Sequence, residues 1–72
     1  MERTPVESTV IRSVGYDDRE RTLDVELRSG AVYRYFDVPP EVHQGLLTAE
    51  SRGRFYDREV KKPGFRYERL AD

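Results

Sequence analysis

The chain has 72 residues, 13 basic and 14 acidic, with a formal net charge of −1 and a pI near 5.8. Such a balance argues against a uniformly basic nucleic-acid binder. Apolar residues make up 36% and aromatics 11%, enough for one small core and too few for two domains. With no cysteine, disulfides, thiolate metal sites and cysteine nucleophiles are excluded together.

A domain of this size stands on packing alone, so a monomer or a weak dimer is the expected oligomeric state. No apolar run approaches the roughly 20 residues of a membrane span. The start Met1-Glu2-Arg3-Thr4-Pro5 lacks the basic-then-apolar layout of a signal peptide, which makes the cytoplasm the expected location, with no membrane partner.

In chain order, residues 1–7 carry no sustained periodicity and are expected to form a flexible lead-in to a single domain over 8–72. Residues 10–16 are rich in β-formers and end in Asp17-Asp18-Arg19-Glu20, which predicts a strand and a polar turn. Residues 21–28 alternate, with Leu23, Val25 and Leu27 on one side and Asp24 and Glu26 on the other, the period of a half-buried strand. Ser29-Gly30 then predicts a two-residue hairpin loop leading into a strand over 31–36. Such a loop would set Leu27 against Val32, Val25 against Arg34 and Leu23 against Phe36, leaving Tyr33 and Tyr35 beside the carboxylates Glu26 and Asp24.

Val38-Pro39-Pro40-Glu41 ends the strand and opens a helix expected to run to about Thr48, with Val42, Leu46 and Leu47 as its apolar stripe and His43 exposed. Gly45 inside that helix costs about 1 kcal/mol relative to Ala unless close packing requires it. Ser51 is a fair N-cap for a second short helix through about Val60, presenting Phe55, Tyr56, Glu59 and Val60. Pro63-Gly64 breaks it, and residues 65–70 alternate as a last strand at a sheet edge. The expected fold is α+β: an antiparallel three-stranded β-meander followed by a two-helix hairpin and a C-terminal edge strand.

The spaced blocks Ser8…Ile11-x-x-Val14-Gly15-Tyr16-Asp17, Leu23-x-Val25-x-Leu27-x-Ser29-Gly30-x-Val32-Tyr33-x-Tyr35, Val38-Pro39-Pro40-Glu41-Val42 and Ser51-x-Gly53-x-Phe55 together resemble the KTSC domain, named for the C-terminal domain of some lysyl-tRNA synthetases. The resemblance runs from about Ser8 to Leu70, with the central Tyr33-Arg34-Tyr35 as its hallmark. Its members also include free-standing small bacterial proteins. It implies a domain without an established biochemical function, for which the synthetase context suggests RNA binding. Where the family often carries a Lys-Tyr-Pro-Tyr-like stretch, this chain has Lys62-Pro63-Gly64-Phe65-Arg66-Tyr67.

Charge is unevenly spread: residues 1–51 hold 6 basic and 10 acidic groups, residues 52–69 hold 7 and 3. The basic stretch begins at the expected N-terminus of the second helix, where Arg52, Gly53 and Arg54 are candidates for a phosphate. Arg58, Lys61, Lys62, Arg66 and Arg69 could extend the track along an RNA backbone, whether tRNA or single-stranded. Tyr33 and Tyr35 project from one side of a strand and are candidates for stacking on bases, with a core role as the alternative. His43 has no nucleophile or metal partner at a recognisable spacing, Asp17-Asp18 reads as a turn rather than a cation site, and phosphate-loop and zinc spacings are missing. The expectation is a non-catalytic binding module without cofactor or metal. The alternative is a protein–protein interaction or accessory module that uses a sheet edge or an aromatic surface.

Overall fold

In a computed structural model describing residues 3–6 and 8–71, the strands are β1 (Thr4–Pro5), β2 (Ile11–Asp17), β3 (Thr22–Leu27), β4 (Val32–Tyr35) and β5 (Tyr67–Ala71). Between β4 and β5 lie α1 (Pro40–Thr48), α2 (Arg52–Phe55) and a π-helical continuation (Tyr56–Lys61). All five strands form one antiparallel sheet in the order β1-β2-β3-β4-β5. The fold is α+β, with the meander, the two helices and the C-terminal edge strand in place. Within the lead-in, Thr4 and Pro5 pair with Val14 and Ser13, while residues 1, 2 and 7 lie outside the described residues.

The β2–β3 turn is closed by Asp17, whose Oδ1 accepts from the backbone N–H of Arg19 at 2.9 Å and of Glu20 at 3.2 Å. This use of a side-chain oxygen to close a turn is why Asp suits the position. Arg21 completes the loop at φ 55°, and its carbonyl accepts from Val38 N–H at 2.9 Å.

The β3–β4 hairpin corrects the expected register. Leu27 N–H donates to Ala31 O at 2.8 Å, and Gly30 N–H donates to Leu27 O at 3.0 Å, so Arg28, Ser29 and Gly30 form a three-residue loop. Gly30 supplies the left-handed residue at φ 101° that this loop length requires. The pairs are therefore Leu23 with Tyr35, Asp24 with Arg34, Val25 with Tyr33 and Glu26 with Val32. A slip of one residue exchanges the faces of the sheet. Tyr33 and Tyr35 move from beside the carboxylates to beside Leu23 and Val25, and Arg34 turns to Asp24.

A second irregularity lies in β2, where Ile11 pairs with Leu27 but Ser13 pairs with Glu26. Arg12 is the extra residue of this bulge and is exposed, which lets both Ile11 and Val14 reach the core, each fully buried.

The core sits between one sheet face and the helices. Ile11, Val14, Leu23, Val25 and Tyr35 from the sheet pack with Val38, Leu46, Tyr56 and Val60. The opposite face is polar and internally paired: Arg34 holds Asp24 with Nε–Oδ1 at 2.8 Å and Nη2–Oδ2 at 3.0 Å, and Ser13 Oγ donates to Glu26 Oε1 at 2.9 Å. Asp24 is only 4% exposed, and the fork of two parallel hydrogen bonds gives each of its carboxylate oxygens a donor.

Helix α1 starts at Pro40 and ends at Thr48 as the sequence predicts, and it buries Leu46, with Val42 and Leu47 against the core. His43 departs from the expectation of exposure: its ring is half-buried and stacked on Tyr16, with centroids 5.1 Å apart and planes at 11°. Burial pushes its imidazole below the ordinary value, and Asp18 opposes this more weakly. Tyr16 in turn donates its hydroxyl hydrogen to Val38 O at 2.5 Å, fastening the start of α1 to the sheet.

The Phe55 ring lies directly on Gly45, where a Cβ would collide with it. Substituting Gly45→Ala is expected to lower thermal stability even though Ala is the better helix former by about 1 kcal/mol, because forcing a carbon into a filled space costs roughly 1–3 kcal/mol. The loss should shrink when Phe55→Ala is combined with it, read as the interaction energy of a double-mutant cycle in thermal melts.

Candidate functional site

Four of the five tyrosines converge. Tyr33 and Tyr35 come from β4, Tyr67 from β5 and Tyr56 from the π-helical turn, and with Leu27, Lys61, Gly64 and Phe65 they line a groove of about 490 Å³. The rings contact one another at centroid distances of 5.8 Å for Tyr33–Tyr67, 5.7 Å for Tyr35–Tyr67 and 6.1 Å for Tyr35–Tyr56. The first and last of these are edge-on, the arrangement the ring quadrupole favours. Depth grades across the cluster: Tyr35 and Tyr56 are 5% and 4% exposed, Tyr33 is half-buried, and Tyr67 is 60% exposed.

The π-helix explains how a lysine reaches this groove. Its wide turn is seen in Lys62 N–H donating to Asp57 O, five residues back, at 3.1 Å, where an α-helix would bond four back. Residues five apart then come to the same side, and Lys61 Nζ lies 5.9 Å from the centre of the Tyr56 ring. On the strand side, the Arg69 guanidinium lies 5.6 Å from the centre of Tyr33. The aromatic groove is thus bordered by two cations, each over a ring face as cation–π attraction favours.

The deep end of the groove is a hydroxyl pair, Tyr35 Oη and Tyr56 Oη, 2.5 Å apart. Burial raises the pKa of both phenols, and for Tyr56 the Tyr35 hydrogen bond raises it further. Both remain neutral O–H groups at neutral pH.

The residues singled out by sequence are split between places. Tyr33, Tyr35 and Lys61 meet in the groove. Arg52, Gly53 and Arg54 line a separate hollow at the start of α2, together with Ser8, Val10 and the carboxylates Glu50 and Asp57. There, Arg52 turns inward and donates from Nη2 to Leu47 O at 2.9 Å, satisfying a carbonyl in the last turn of α1. A Cβ on Gly53 would stand 3.1 Å from Val10 Cγ2, so this glycine keeps α2 close to the chain before β2. Ser51 caps α2 as predicted, its Oγ accepting from Arg54 N–H at 3.4 Å. Arg58 is exposed, paired with Glu59 at 3.1 Å and 5.9 Å over the Phe55 ring; Lys62 is exposed.

Sequence reasoning missed Tyr56, Phe65 and Tyr67 as partners of Tyr33 and Tyr35. The available signal was parity: Phe65, just before β5, and Tyr67, its first residue, are two positions apart in an extended run, and β5 pairs Tyr67 with Tyr35.

The sequence pattern of the KTSC domain matches residues 7–67 of this chain. An uncharacterized protein of Stutzerimonas stutzeri is 47% identical over 70 residues, covering 97% of this chain and 99% of that protein. Lysine–tRNA ligase of Nostoc punctiforme is 38% identical over 65 residues, which are 90% of this chain and 11% of the ligase. Among solved structures, a KTSC domain protein of Yersinia pestis superposes with a TM-score of 0.90 at 38% identity, over 96% of both chains.

Two outcomes follow from the graded burial and the phenol pair. Truncating Tyr35→Ala should cost about 3–5 kcal/mol, whereas Tyr67→Ala should stay within about 1 kcal/mol as a largely exposed site, both read from denaturant melts. With the folded-state values of Tyr16, Tyr35 and Tyr56 raised, folded and unfolded chains both keep these protons below about pH 10. Above it the unfolded chain ionises first, so stability should fall as pH climbs further, and less steeply in a Tyr35→Phe/Tyr56→Phe variant.

Proposed function

The chain belongs to the KTSC domain family, and on that premise we propose that it is a small non-catalytic module that contacts RNA through the tyrosine groove and the basic segment around it. The observation that carries this reading is the meeting of an aromatic surface, exposed Tyr67 with half-buried Tyr33 and Phe65, with Lys61 at the same groove. Aromatic faces that accept unstacked bases beside cations that follow the phosphates are the two ingredients of single-strand recognition. In this reading Lys61, Lys62, Arg54 and Arg58 contact phosphates, while Arg52 and Gly53 hold the helices in position. Tyr33 offers a stacking edge beside Tyr67, and Tyr35 supports both from the core. The likeness to a segment of lysine–tRNA ligase supports RNA, tRNA included, as the partner class.

A second reading rests on β5, which lies at the sheet edge, is exposed throughout and presents Leu70 at 45% exposure. An open edge of this kind can take an extended peptide as a further strand. Capture of a protein partner that survives nuclease treatment favours this reading over RNA.

The RNA reading predicts that affinity for tRNA or single-stranded RNA falls steeply as salt rises. Replacing Lys61→Ala and Lys62→Ala should flatten the logarithmic slope by roughly 0.7 per lysine. Titration by fluorescence anisotropy over a salt series measures this, and no binding at low salt would falsify it.

A further inference from the structure

The phenol pair at the deep end of the groove has one hydrogen more than it uses. Each tyrosine hydroxyl carries one hydrogen and accepts through two lone pairs. In the Tyr35–Tyr56 contact one hydroxyl donates to the other at 2.5 Å, and among the described residues neither oxygen makes a further hydrogen bond. Whichever phenol donates, the partner's hydrogen remains. Both residues line the groove, and both are about nine-tenths buried or more. A recessed O–H without an acceptor is costly in a closed core and useful at the end of a binding groove.

We propose that the groove takes one unstacked nucleobase bearing an exocyclic carbonyl, which uracil, cytosine and guanine have and adenine does not, whose oxygen accepts the spare hydrogen of the Tyr35–Tyr56 pair while the ring lies against Tyr67. This inference rests on the RNA reading and specifies which bases it selects. The recess of the donor decides the chemistry. A carbonyl oxygen projects beyond the ring and can reach a hydroxyl at the groove's deep end, whereas a ring nitrogen is flush with the base edge. Adenine projects only an amino group, itself a donor, which leaves the phenolic hydrogen unmet. The π-helical turn supports the assignment independently, because it brings both Tyr56 and Lys61 to the groove. Short π-helical turns recur at functional sites. Lys61 can then hold the phosphate next to the inserted base, giving the base a fixed approach.

The test compares single-stranded oligouridine and oligoadenosine on the wild-type chain and on Tyr35→Phe/Tyr56→Phe. Removing both hydroxyls replaces a hydrogen-bonded pair with two apolar groups of the same shape, a change that can be nearly neutral for folding. A single Tyr→Phe leaves one phenolic hydrogen able to donate, so each single variant should keep the preference. The wild type should favour oligouridine by about tenfold, as one hydrogen bond made rather than left unmet implies. In the double variant the two oligomers should bind alike, with the salt slope unchanged. RNA binding without base preference, or a preference that persists in the double variant, overturns the carbonyl assignment and leaves the RNA reading standing. No binding to either oligomer at low salt overturns both.

Discussion

A single left-handed glycine, Gly30, governs where the aromatic residues go. The three-residue turn it allows pairs Tyr33 with Val25 and Tyr35 with Leu23. One residue fewer in the loop would have put both tyrosines among carboxylates and turned Arg34 toward the core. With the register as it is, Tyr35 meets Tyr56 across the core, and Asp24 finds the guanidinium it needs on the opposite face. The groove, the buried hydroxyl pair and the polar outer face all descend from that turn.

Much of the architecture could be read from local signals. Alternation in residues 23–27 identifies β3, Pro40 and Glu41 locate the start of α1, and Ser51 announces α2, because periodicity and capping depend on neighbours in sequence. Gly45 was legible as a residue that close packing must justify, and the Phe55 ring justifies it. Register was not legible, since Ser29-Gly30 suits a two-residue loop and the end of a three-residue loop equally well. The Arg12 bulge, the π-helical winding and the arrival of Tyr56, Phe65 and Tyr67 beside Tyr33 depend on distant partners. Local patterns do not encode those partners. Among the site candidates, Tyr33, Tyr35 and Lys61 share one place, while Arg52 serves the junction of the two helices.

Small size explains why the same residues serve the core and the groove. With 36% apolar residues in 72, the domain fills its interior with tyrosines whose ring bodies pack and whose polar ends need partners. Tyr16 finds one in the Val38 carbonyl, and Tyr35 and Tyr56 find each other. The cost of burying a hydroxyl thereby becomes a directional group at the edge of the core. The charge pattern follows the same division, since the basic stretch 52–69 supplies both helical Lys61 and strand-borne Arg69 to the aromatic cluster.

The π-helical winding over Tyr56–Lys61 makes chain length there a chemical variable. Wound as an ordinary α-helix, these same residues would carry one five positions on around to the far side. The lysine would keep its place in the sequence and lose its place beside the tyrosines. A helix one residue shorter between the tyrosine and the lysine would restore the contact in plain α geometry, because residues four apart share a face.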